Sequence, residues 1–207
     1  APPTIEKPAS FGGNACDKPR RTTVIKKNEI VEPMMGTCSA SSTPSTTIYQ
    51  NFRHTVLTYG DKPALLFKKQ HSDPYSQVTW SQYYDESINF AKSLIAIGFD
   101  SHSSVNILGY NAKEWMFSLL GCIAAGGMGA GIYTTNLPDA VSYIIKHSDC
   151  EVICVDDKDQ REKVVSKIEE CPALKVIVQW GDEKDCAPKG TTYGSFGCKY
   201  YCWSDFI

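Results

Sequence analysis

The sequence predicts an α/β fold, a largely parallel sheet covered by helices on both faces. Three observations carry that expectation. Short, nearly all-apolar runs recur at Val105–Tyr110, Gly129–Tyr133, Val152–Val155 and Val176–Trp180, and strands buried on both faces read this way. The first three are each followed by a capping residue, namely Asn111, Asn136 or Asp157, and by a helix-period segment of about a dozen residues. Strand and helix alternating at these lengths are what parallel crossovers require, and the crossovers are expected to be right-handed.

From Ala1 to about Thr47 there is no sustained periodicity. Five prolines (Pro2, Pro3, Pro8, Pro19, Pro33) punctuate the segment and Ser39–Thr47 is a Ser/Thr/Pro run, so residues 1–47 read as an extended arm. Within it, Thr22–Val31 contains β-branched residues fit for a strand. Its acids, Glu6, Asp17, Glu29 and Glu32, argue against an organellar transit peptide. The body, residues 48–207, begins with Ile48, Phe52, Val56 and Tyr59 at helical spacing and a stop at Gly60. Ala64–Lys68 and Gln77–Trp80 read as a strand pair. Thr79 and Gln82 form a capping-box pattern ahead of a helix whose apolar face is expected to carry Trp80, Tyr84, Ile88, Ala91 and Ile95, ending at Gly98. The following helices are expected to bury Trp115, Leu119, Cys122 and Ile123, then Ala140, Val141, Ile144 and Ile145, then Val164, Val165 and Ile168.

Composition bounds the function. A chain of 207 residues supports one ordinary domain with an arm and buries roughly 70% of its unfolded surface. With 42% hydrophobic residues and a net charge of −2, it has no bulk attraction for nucleic acid. Nine scattered cysteines, an odd number, fit a secreted disulfide framework poorly, and reduced thiols in a cytoplasmic setting are the expectation. Trp115–Pro138 carries no charge and is long enough to raise the question of a membrane span. Gly126 and Gly127 would interrupt that span at its middle, where the apolar period changes from helical to strand-like.

The glycines of Ala124–Asp139 suggest a phosphate loop, but such a loop must leave a strand and open a helix. Here Gly126–Gly131 follows a helix and enters a strand, so the glycines are expected to end that helix and let it lie close to the sheet. The turn with the right polarity is Tyr133, Thr134, Thr135 and Asn136. Its hydroxyls and helix-start N–H groups can hold an anion or a carbonyl oxygen, or Asn136 merely caps. Lys189, in Ala187–Gly197, reads as part of a linker. Cys186, Cys198 and Cys202 lack the paired knuckles of a zinc site, so no metal site is expected. None of His54, His71, His102 and His147 has a nucleophile setting beside it, and no catalytic residue is nominated.

The run from Gly109 to Asp157 resembles the N-terminal part of the adenylate-forming enzymes, most closely long-chain fatty-acyl-CoA synthetases of the bubblegum type. The resemblance rests on Asn111-Ala-Lys-Glu-Trp115, the Ala-Gly-Gly turn, Gly131-Ile-Tyr-Thr-Thr-Asn136 and Ser148-Asp-Cys-Glu-Val-Ile. Upstream, the Tyr59-Gly-Asp-Lys-Pro-Ala64 and Val78–Tyr84 stretches follow the family's order, and coverage runs from Ile48 to Ile207. The resemblance implies an incomplete N-terminal portion of the AMP-binding large domain of a long-chain fatty acid–CoA ligase. Such an enzyme uses ATP, magnesium and coenzyme A to make acyl-CoA, AMP and pyrophosphate. It implies a cytoplasmic enzyme, peripheral to membranes, whose partners are fatty acid, coenzyme A and the remaining C-terminal part of the enzyme.

The family's adenylation motifs are a Ser/Thr/Gly-rich loop ending in Pro-Lys-Gly, acids that grip ribose and magnesium, and a mobile lysine. None is present, because Pro188-Lys189-Gly190 precedes Thr191–Gly194 instead of following it. Tyr201–Ile207 resembles the start of a family helix. The 207 residues alone are therefore expected to be inactive and to bind no cofactor themselves. The resemblance places Tyr133, Thr134, Thr135 and Asn136 on the coenzyme A and acyl side of the cleft. Two other readings stand beside it: a truncated, non-catalytic synthetase-like subunit packed into a larger assembly, and a small nucleotide binder using the Thr-Thr-Asn turn.

Overall fold

The computed structural model describes residues 42, 44, 46–68 and 72–207. The strand expected at Thr22–Val31 lies outside the described residues, as does most of the arm. The chain divides into units 1–47 and 48–207, and the second is described here.

Helix α1 (Ile48–Tyr59) leads into an antiparallel pair, β1 (Pro63–Phe67) and β2 (Ser76–Thr79). Helix α2 (Trp80–Ala96) starts with the expected capping box: the Gln82 N–H donates to Thr79 Oγ1 at 3.2 Å and the Thr79 N–H to Gln82 Oε1 at 2.9 Å. Then come β3 (Ser104–Leu108), α3 (Lys113–Ala124), β4 (Met128–Ile132), α4 (Pro138–His147), β5 (Cys150–Val155), α5 (Lys158–Val165) and β6 (Val176–Gln179). A strap leads from β6 to the hairpin of β7 (Thr192–Tyr193) and β8 (Cys198–Cys202), and α6 (Trp203–Phe206) follows. The six-stranded sheet has the order β4-β3-β5-β6-β8-β7, parallel throughout except for the antiparallel β7.

Alternate residues of the central strands serve opposite cores. Val105, Ile107, Val152, Cys154, Val176 and Val178 meet Phe90 and Leu94 of α2 and Cys122 of α3. Leu108, Ile153, Val155 and Ile177 meet Val141 and Ile145 of α4 and Val164 of α5. A period of two along each strand thus becomes two helix layers. Phe52, Tyr83 and Phe117 form a third, aromatic cluster beneath β1 and β2.

Four expectations change. The buried face of α2 is Tyr83, Ser87, Phe90, Ala91 and Leu94, while Ile95 is exposed. Apolar residues surround more than half of this helix, and the approach of α3 selects the stripe: a methyl at Gly121 would lie 2.5 Å from the Ser87 carbonyl oxygen. Asn111 and Asn136 are not caps, because the N-cap positions of α3 and α4 fall one residue later, at Ala112 and Leu137, with no side-chain cap bond. Helix α4 is instead opened by Pro138, whose missing N–H costs nothing in the first turn. Only Asp157 caps as expected, accepting from the Gln160 N–H at 2.8 Å. Finally, the expected linker Ala187–Gly197 contains β7 and the turn into β8, and β7, only two residues long, is too short to show a period.

The glycines act as expected. Gly126 takes φ +83° just after α3. Gly129 and Gly131 lie on β4 beneath Leu119 and Trp115, and a methyl on Gly129 would come 2.5 Å from Leu119 Cδ1. The charge-free segment is therefore a helix plus an edge strand. No helix of the described residues is long and apolar enough to cross a membrane.

Candidate functional site at the carboxyl edge of the sheet

From β3 the chain moves outward to β4, then crosses back over β3 to β5. The order reverses between β3 and β5, and the crevice outside the carboxyl ends of such strands is where open α/β sheets bind ligands. Three turns meet there: Gly109–Asn111 after β3, Tyr133–Asn136 after β4, and Asp156–Asp157 after β5.

The Tyr133–Asn136 turn is closed by the Asn136 N–H donating to the Tyr133 carbonyl at 3.0 Å. Lys163 on α5 donates from Nζ to the Thr134 carbonyl at 2.6 Å and to Gln160 Oε1 at 2.9 Å. The turn is thus clamped from the helix of the next βα unit. Its Tyr133 is 82% exposed, and Leu137 after the turn and Tyr110 in the turn after β3 are exposed too.

The neighbouring turns are tied by Asp156, a residue the sequence reading passed over. Its Oδ2 accepts the Tyr110 N–H at 2.8 Å, and its own N–H donates to the Leu108 carbonyl at 3.2 Å. Oδ1 is buried without a hydrogen-bond partner. Burial pushes the carboxyl pKa above its usual range, against the lowering effect of the Tyr110 N–H. The indole of Trp180, itself buried, closes the floor over Gly109, where any side chain would collide with it. The one available signal was the acid pair directly after an apolar strand, and Asp157 alone was read, as a cap.

This edge offers hydroxyls, a carboxyl whose pKa is raised by burial, and aromatic faces. Of its cations, Lys163 is committed to a carbonyl, Lys113 pairs with Glu114 at 2.8 Å and Lys158 with Glu162 at 3.6 Å. Among the described residues no group of three or more His, Cys, Asp or Glu side chains could hold a metal ion. No magnesium chemistry is assigned to the residues at this edge. Lys189 pairs with Asp205 at 2.8 Å. The zinc alternative fails by geometry: Cys186 and Cys202 are joined in a disulfide, while Cys198 faces the core shared with α4 and α5. The disulfide also corrects the expectation of uniformly reduced thiols. Cys122, Cys150, Cys154, Cys171 and Cys198 are free and buried.

Solved CoA ligases share the fold of this sheet and its helices. The anthranilate CoA ligase AuaEII, solved with anthranoyl-AMP, superposes with a TM-score of 0.61 at 22% identity, over 68% of this chain and 26% of that one. Acetoacetyl-CoA synthetase from Streptomyces lividans gives a TM-score of 0.64 at 20% identity, over 76% and 24%. The sequence pattern of the AMP-binding enzyme family matches residues 52–195, and the chain belongs to that family. Among its relatives, the long-chain-fatty-acid–CoA ligase ACSBG2 of Xenopus laevis is 34% identical over 172 residues, covering 83% of this chain and 23% of the relative. The ligase ACSBG1 of Homo sapiens is 39% identical over 132 residues, covering 64% and 18%. The chain thus spans less than a quarter of the length of either relative.

Proposed function

We propose that this chain is part of a long-chain fatty acid–CoA ligase, which joins a fatty acid to coenzyme A with conversion of ATP to AMP and pyrophosphate. The observation that carries the reading is the 34% identity to a ligase of that specificity across 83% of the chain. The physical problem in this reaction is electrostatic, since a carboxylate must attack an anionic phosphate and needs cations and aimed donors around it. The described residues supply no such set at the sheet edge, so adenylation belongs to other parts of the polypeptide. These residues supply a wall of the cleft instead. In this reading Tyr133, Thr134, Thr135 and Asn136 border the coenzyme A and acyl side, and Lys163 and Asp156 fix the turns that form that border. The enzyme works in the cytoplasm, with the rest of the ligase as the partner of the sheet.

The test is palmitoyl-CoA formation by the polypeptide encoded by the whole coding sequence that contains these residues. Turnover is expected. Replacing Thr134 and Thr135 together by valine is expected to raise KM for coenzyme A or palmitate several-fold, with the melting temperature kept. A polypeptide without acyl-CoA formation overturns the ligase reading, and unchanged KM values overturn the role of the turn alone.

A further inference from the structure

Seven cysteines lie in the described region, and they fall into two chemical groups. Burial raises the thiol pKa of five: Cys122, Cys154 and Cys198 are pushed up to about 12, and Cys150 and Cys171 also move upward. Such thiols supply almost no thiolate, the species that attacks disulfides. Cys186 and Cys202 are different, being partly exposed and bonded to each other across a Cα–Cα distance of 6.1 Å.

Their surroundings give a reagent access to the bond. Cys202 lines a cavity of about 260 Å³ together with Ala187, Lys189 and Thr191. Both cysteines line a second one of about 150 Å³, bounded by Gln179 and Trp203. Other bonds hold the strap in place. Arg161 Nη1 donates to the Asp185 carbonyl at 2.7 Å, and the Ala187 N–H donates to Tyr200 Oη at 3.2 Å. These contacts flank Cys186 on both sides, so the two sulfurs stay neighbours when the bond is open. Tyr200 Oη, which donates to Gln179 Oε1 at 3.1 Å, lies 3.7 Å from Cys202 Sγ.

We propose that Cys186 and Cys202 form a reversible thiol–disulfide exchange pair, open to a small tripeptide thiol such as glutathione, that sets how tightly the strap is fastened to the end of β8. In the reductive direction a glutathione thiolate attacks one sulfur, forms a mixed disulfide and expels the other sulfur as a thiolate. A second glutathione then attacks the mixed disulfide. Two protein thiols and one glutathione disulfide result, so two electrons pass from two glutathione molecules to the pair. Oxidation is the reverse, with glutathione disulfide as the oxidant. The segment affected is Asp182–Ala187 and, through Cys202, the start of α6, where Trp203 stacks on Phe90 at 5.3 Å.

The test uses the full chain, equilibrated in glutathione buffers from fully oxidised to fully reduced, alkylated without denaturant and mapped by peptide mass. Cys186 and Cys202 are expected to gain label together as the buffer becomes reducing, while the five buried thiols stay unlabelled until denaturant is added. Cys186→Ser is expected to carry one glutathione on Cys202 in the oxidised buffer. Amide exchange across 182–187 in the unsubstituted chain is expected to accelerate about tenfold on reduction. A pair that resists reduction until the protein is denatured, or that is fully alkylated even in the oxidised buffer, overturns the proposal. So does an unchanged exchange rate, which needs no variant to measure.

Discussion

Lys163 Nζ donates to the Thr134 carbonyl across 2.6 Å, linking the third βα unit of the sheet to the turn that follows β4. One side chain thereby sets the position of a turn 29 residues earlier in the chain. A charged donor to a partly buried carbonyl contributes about 1.5 kcal/mol. Lys163→Met keeps the aliphatic stem and removes the donor. It is expected to lower stability by about that amount in urea unfolding and to speed amide exchange selectively at 133–137. Equal acceleration throughout the sheet would show that the bond does not act locally.

Two glycines separate steric from conformational demands. Gly129 faces Leu119, and Gly129→Val is expected to cost about 2–3 kcal/mol by overpacking and to displace α3 from β4. Gly98 has open space around it but φ +78°, so Gly98→Ala is expected to cost about 1 kcal/mol from backbone strain alone. Adding Leu119→Ala should relieve the first substitution and leave the second unchanged, as read by chemical denaturation.

The raised pKa of Asp156 gives a pH dependence with a definite sign. Its folded state binds the proton more tightly than the unfolded chain, so its contribution is present below the ordinary carboxylate value and is lost as pH rises through the folded value. Asp156→Asn keeps an acceptor for the Tyr110 N–H and cannot ionise. Relative to the parent, this variant is expected to gain stability as pH rises from the ordinary carboxylate value of 3.8 through the raised folded value. A stability difference constant over that range would contradict the assignment.

Arg161 is buried and donates to Gln179 Oε1 at 2.5 Å, and Tyr200 Oη donates to the same oxygen at 3.1 Å. Arg161→Met removes the cation and its bond to the strap at Asp185. The expected loss is about 2–3 kcal/mol, because Gln179 and the Asp185 carbonyl lose a charged donor. Thermal unfolding measures it, and a loss below about 0.5 kcal/mol would show that the network is dispensable.

The parallel sheet was legible because Val105–Leu108, Val152–Val155 and Val176–Val178 are apolar on both faces save for Asn106, a pattern few other environments allow. Cap positions were less legible. Asn111 and Asn136 have the right chemistry, but each lies one residue before the residue that caps, and backbone conformation alone decides that offset. The face of α2 was misassigned because its selection depends on Gly121, a residue 34 positions beyond Ser87 whose effect is a close approach. Strand β8 alternates Cys198, Lys199, Tyr200 and Tyr201, and its pairing with β6 supplies the order that its composition does not. At the candidate site, strand-to-helix polarity nominates Tyr133–Asn136. Lys163, Asp156 and the Cys186–Cys202 bond were not legible, since each acts through a partner distant in sequence.

Palmitate-dependent ATP–pyrophosphate exchange by the 207-residue chain bears most directly on the proposed division of labour between this sheet and the rest of a ligase. A cleft wall without aimed cations cannot stabilise the adenylation transition state, so no exchange above the protein-free blank is predicted. Exchange that rises with palmitate and with protein concentration would contradict it.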